Sequence, residues 1–149
     1  MKIKDIYTKA VQRGIELDPR GKVQVEAELK RVKKDFDELK EEKKKYFDKE
    51  RLINPYADTR ILYGEHDRDV KTVLAGIDME VGEVLLADRL RNSGKPIDLI
   101  ISHHPEGMAM AALYEVMDMQ SGILLKYGIP INIAEDLMSE RIKEVERRL

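Results

Sequence analysis

Residues 73–107, VLAGIDMEVGEVLLADRLRNSGKPIDLIISHHPEG, decide the fold. Their first part, within 72-TVLAGID-78, is a short apolar run of strand length, and its composition suits a buried strand. From about Val81 to Asn92 the pattern turns helical, with Val84, Leu85, Ala87 and Leu90 predicted inward and Ser93-Gly94 as the stop. The run 98-DLIIS-102 is a second strand. A strand, a helix and a strand in this order predict a parallel pair joined by a crossover.

Working outward, 60-RILYG-64 predicts a further short strand before this unit. After it come a helix over about 108–127 closed by Gly128, a strand at 129-IPINIA-134, and a helix from about Leu137 to Leu149. Met138, Ile142, Val145 and Leu149 share one face of that last helix. The methionines at 108, 110, 117 and 119 are expected to fill the core. Alternating strands and helices predict an α/β fold, a mostly parallel sheet with crossover helices. Ligands of such sheets sit at the carboxyl ends of the strands. Asp78, His103, His104 and Glu135 are all predicted there.

The amino-terminal third has a different character. Ile3, Ile6, Tyr7, Ala10 and Val11 recur at helical spacing, and 18-DPRG-21 is a turn. In residues 22–52, Val25, Leu29, Val32, Phe36, Leu39 and Tyr46 form an apolar seam, with Lys43 in the skipped position. The expectation is an N-terminal helical hairpin with one long charged helix, packed on its own domain or on another chain. The breakers in 53-INPYADT-59 mark the boundary between a helical segment, 1–52, and an α/β domain, 53–149. The pattern runs on into ERRL without a helix stop, so the chain is expected to be part of a longer gene product, or its last helix to pack elsewhere.

Composition narrows the function classes. Charged residues make up 38% of 149, but the net charge is only -2. The lysine cluster of 43–45 could suggest nucleic acid, but the acids around it favour a solvated face, and there is no strong sign of a nucleic-acid partner. No apolar run has the length of a membrane span, and none resembles a signal peptide. Cysteine is absent, which excludes thiolate ligands and suits a cytoplasmic location.

Two of the three histidines are adjacent, at 103 and 104. Neutral imidazole ligates zinc, iron, manganese or nickel. Neighbours on a regular strand point to opposite faces, but where the backbone turns they can reach two ions a few ångström apart. Further ligands would be needed, and Asp78, Glu106, Glu135 and Asp136 are the local candidates. Two other readings stand beside this one: loop histidines bonded to backbone, or acid–base chemistry with Asp78 as the orienting acid. A weaker candidate is 64-GEHDRD-69, with His66, Asp67 and Asp69. The stretch 76-GIDMEVG-82 lacks the pattern of a nucleotide loop.

The segment 73–107 resembles the defining segment of the Nif-three-like family, also labelled NGG-one-interacting-factor-three-like or GTP cyclohydrolase I type 2-like. Gly76, Asp78, Asp98, His103, His104 and Pro105 occupy its V-x-x-G-x-D and D-L-I-I-S-H-H-P positions, and 58-DTRILYGE-65 looks like a diverged form of an upstream segment. The resemblance covers roughly residues 55–135. It implies an α/β fold, two divalent transition metal ions per site, His103 and His104 as metal ligands, and a homo-oligomer, often a hexamer. The family's activity is not settled and the cyclohydrolase label is a name only; a metal-dependent hydrolase of unknown small-molecule substrate is the activity expected from two-metal chemistry. The family's H-T-x-x-D after the third strand and its late His and Glu have no counterpart here, since no histidine follows His104. The long charged helix is outside the family pattern. It carries the alternative expectation, a non-enzymatic interaction or assembly module.

Overall fold

A computed structural model describes residues 1–148. The protein is mostly helical, with one small parallel sheet. Helix α1 spans Ile3–Leu17, and the Asp5 carboxylate accepts the Lys2 backbone N–H at 3.1 Å at its start. The 18-DPRG-21 turn follows, with Gly21 at a φ of 91°, and α2 spans Lys22–Glu38.

The single long helix expected over 22–52 is instead broken. Leu39 is extended, and a short α3, Glu41–Lys44, and a 3₁₀ turn, Lys49–Leu52, follow. The break folds Phe47 back onto Phe36, with ring centroids 4.9 Å apart. It also shifts the register by one residue, so Phe47 takes the inward place predicted for Tyr46, which is 90% exposed. The seam of α2 is used within the chain. Val25 is fully buried, worth about 1.5–3 kcal/mol relative to exposure. Leu29 and Val32 face Asn54, Pro55 and Ala57 across a cavity of about 50 Å³.

Beyond the loop, β1 is Val73–Gly76, α4 is Val81–Asn92 and β2 is Leu99–Ser102. The strands pair in parallel, Val73 with Leu99 through Gly76 with Ser102. The strand–helix–strand unit therefore stands as predicted, but not its burial. Val73 and Ile101 are exposed, and of the α4 residues predicted inward only Ala87 is buried, while Val84 and Leu85 are at least half exposed.

The other predicted strands do not form, and the mostly parallel sheet reduces to two strands. Residues 60–64 are irregular, anchored by the buried Arg60 side chain on Asp48 at 2.8 Å and near Glu50 at 3.2 Å. Residues 131–134 begin a helix. The Pro130 carbonyl accepts from the N–H groups of Ile133 and Ala134, both at 3.0 Å, and α8 runs Ile131–Arg148. Its buried stripe begins at Ala134 and continues through Met138, so the helical face starts earlier than the pattern from Leu137 suggests. Leu149 lies outside the described residues. The predicted helix over 108–127 is three pieces, α5 Gly107–Ala111, α6 Leu113–Met117 and α7 Met119–Lys126. Met117 is buried, whereas Met108 and Met110 are exposed, so only part of the methionine set fills core.

The helical segment and the rest interlock across the boundary at residue 53. The Asn54 amide donates to the Tyr7 hydroxyl at 2.9 Å and to the Thr59 carbonyl at 2.8 Å, and the Tyr7 hydroxyl donates to Glu50. Burial, with Glu50 adding to it, raises the Tyr7 phenol to about 12. A second knot sits at the DPRG turn. Arg20 holds Asp18 through Nε at 3.0 Å and Nη2 at 2.9 Å and holds Glu28 at 2.5 Å, while Tyr56 donates to Asp18 at 3.0 Å. The side chains of Asp18 and Arg20 are almost wholly buried.

Candidate functional site

The carboxyl edge of the β1–β2 pair brings together two loops, 77–80 and 103–106. The pairing offset of 26 residues within the sheet (Gly76 with Ser102) persists beyond it, since Asp78 meets His104 at the same offset. The His103 N–H donates to the Gly76 carbonyl and the His104 N–H to the Ile77 carbonyl, each at 2.9 Å. The Ser102 hydroxyl donates to the His104 carbonyl at 2.6 Å and lies 3.1 Å from the Ile77 carbonyl. His104 Nδ1 is 2.6 Å from Asp78 Oδ1.

The ring centroids of His103 and His104 are 5.2 Å apart, with their planes tilted by 37°. Adjacent side chains on a regular strand would point to opposite faces. The two rings stay close because the chain has left strand geometry after Ser102. Both histidines are open to solvent.

Beneath this edge, Gly76 has a steric role. A Cβ there would lie 2.5 Å from the sulfur of Met79, which is buried. The missing side chain leaves room for the Met79 side chain against Gly76. At the opposite edge, Asp98 is a structural staple. Its Oδ2 accepts the N–H groups of Lys71 and Thr72, both at 2.9 Å, and these bonds hold its carboxyl below the usual range.

Of the proposed additional ligands, only Asp78 is held against a histidine. Glu106 stands at the N-cap of α5, two residues beyond His104. Glu135 and Asp136 were expected at the end of a third strand and lie instead on the exposed side of α8, which packs on α6 and α7. In the 64–69 loop, the Asp67 carboxylate binds Lys4 at 2.5 Å and Lys2 at 3.3 Å, and the His66 carbonyl accepts the Lys4 N–H. That loop is tied to the amino terminus by lysine pairing.

The donor set at the sheet edge is two imidazoles and one orienting carboxylate. Among the described residues no group of three or more His, Asp or Glu side chains is arranged to hold one metal ion. The residues present do not close a coordination shell. Sequence reasoning missed the Asp18–Arg20–Glu28–Tyr56 knot and the role of Gly76, because both depend on partners brought in by folding.

No family model, curated protein or solved structure matches the chain. Among the described residues no helix is long and apolar enough to cross a membrane.

Proposed function

We propose that this is a cytoplasmic metal-binding protein of the Nif-three-like kind, in which His103 and His104 bind divalent transition metal, with two ions per completed site. The observation that carries the reading is the contact between His104 Nδ1 and Asp78 at 2.6 Å, beside the His103 ring. A metal-ligating histidine characteristically donates its other ring N–H to a carboxylate. Both histidines also lie at the carboxyl end of parallel strands, where ligands of such sheets collect.

Divalent ions held there, when bound, would supply the Lewis acidity that activates water and steadies a developing oxyanion, the chemistry of a hydrolase. The chain's own contribution is positional. Asp78 fixes one ring, and Ser102 ties down the backbone that carries it. The substrate in this reading is a small molecule. Equilibrium dialysis against Zn²⁺, Mn²⁺ or Ni²⁺ tests it. Retained metal is expected in the unmodified chain and a loss in His103→Ala and His104→Ala.

The same reading makes the protein a homo-oligomer, with a hexamer as the form the resemblance implies. One observation favours assembly: Val81, Val84, Leu85 and Leu86 of α4 are each at least half exposed. Light scattering on Leu85→Glu tests it, with a smaller mass expected than for the unmodified chain. Assembly through the charged helix has less support, because the seam of α2 faces its own chain.

A further inference from the structure

We propose that the outer edge of β1 is a self-pairing surface. β1 of one chain adds antiparallel to β1 of a second copy, with Val73 opposite Ala75, and joins the two small sheets into one. The proposal rests on the homo-oligomer reading above and names the contact that builds it.

The sheet of a single chain is incomplete. No residue of Val73–Gly76 or Leu99–Ser102 is buried, and Val73 and Ile101 are 41% and 39% exposed. Parallel sheets occur almost only with both faces covered, and two strands alone are marginal. The hydrogen-bond phase shows which groups are free. The Leu99 N–H donates to the Thr72 carbonyl at 3.3 Å and the His103 N–H to the Gly76 carbonyl at 2.9 Å. Thr72, Leu74 and Gly76 thus turn their backbone groups toward β2, and Val73 and Ala75 turn theirs outward. Among the described residues no other segment bonds to those outward groups, because the pairing of the amino terminus stops at Val70. Nothing within Val73–Gly76 blunts the edge, neither proline nor charge. A second copy is the strand that fits. The outward groups belong to odd-numbered residues, so a two-fold register must set odd against odd. With Val73 opposite Ala75, each such pair exchanges both of its N–H···O bonds. Lys71 precedes the strand, and Asp78 and Glu80 follow it, all three exposed. The antiparallel register brings Lys71 of one copy opposite Ile77 of the other, beside Asp78, so unlike ends meet. Ile77, 61% exposed, is then covered by the lysine stem. The charge at the start of β2, Asp98, is instead already bonded to the N–H groups of Lys71 and Thr72.

The chain has no cysteine, so a single introduced one reports its own contact. In this register Leu74 meets Leu74 of the second copy on the two-fold axis as a non-hydrogen-bonded pair, with Cα atoms about 4.5 Å apart. That lies inside the roughly 4.4–6.8 Å that a disulfide spans. Leu74→Cys under mild oxidation is expected to run as a linked dimer on non-reducing electrophoresis. Ile101→Cys, which probes the outer edge of β2, is expected to run as a monomer. Val73→Pro removes an outward N–H and none of the bonds to β2. Light scattering is expected to find its mass at half that of the unmodified chain or less, with an unchanged far-ultraviolet circular dichroism spectrum. Where Val73→Pro fails to fold, the linkage of Leu74→Cys decides. A monomeric unmodified chain overturns the proposal and the homo-oligomer reading together. An oligomer whose mass a folded Val73→Pro leaves unchanged overturns the β1 contact alone, as does linkage through Ile101→Cys without linkage through Leu74→Cys.

Discussion

His104 Nδ1 lies 2.6 Å from Asp78 Oδ1, so two loops that follow separate parallel strands are joined side chain to side chain. Gly76 ends the strand that leads to Asp78. In Gly76→Ala the new Cβ would meet the buried Met79 sulfur at 2.5 Å, and overpacking of this kind costs about 1–3 kcal/mol. Urea denaturation should show a lower midpoint. An unchanged midpoint would mean that Met79 moves aside freely.

Gly14 offers a sharper test of sign. Replacing an exposed helical glycine by alanine gains about 0.5–1 kcal/mol. Here a Cβ would stand 2.8 Å from Cε2 of Tyr56. Gly14→Ala is therefore expected to lower the thermal midpoint, and a rise would show that Tyr56 does not lie against α1.

The knot at the DPRG turn makes Asp18→Ala costly. Removing the carboxylate leaves the Arg20 guanidinium buried with only Glu28 as partner. Breaking a buried pair in this way costs about 3–5 kcal/mol. Equilibrium unfolding in urea measures it, and a cost below about 1 kcal/mol would place the pair among ordinary surface bridges.

The same carboxylate sets an acid limit. Burial pushes Asp18 upward, but hydrogen bonds from the Arg20 side chain and backbone and from Tyr56 outweigh it and hold the group below the usual carboxylate range. A depressed carboxylate contributes stability that is complete above its unfolded value and fades as pH falls through the folded one. The urea midpoint should hold down to about pH 5 and then decline, with a shallower decline in Asp18→Asn. Equal acid slopes in the two proteins would assign the loss to other carboxylates.

What was legible in the sequence was local. The 73–102 unit could be read because both strands and the helix between them are bounded by their own breakers, Asp78, Ser93-Gly94 and Asp98. The segment 129–134 misled because alternating isoleucines mimic a strand. With no strand beside it, its backbone is satisfied by the helix that opens at Pro130, and Ile131 and Ile133 remain exposed. Tyr46 was misplaced because one extended residue, Leu39, resets the register of everything after it. The paired histidines stood out as an oddity of composition. Their link to Asp78 could be anticipated from topology, whereas Glu135 was lost with the third strand.

Metal uptake by the chain itself tests the central claim most directly. After equilibrium dialysis against Zn²⁺ and exchange into metal-free buffer, elemental analysis should find zinc in the unmodified protein and little in His103→Ala or His104→Ala. Zinc-free unmodified protein, or equal zinc in all three, would contradict a metal role for His103 and His104.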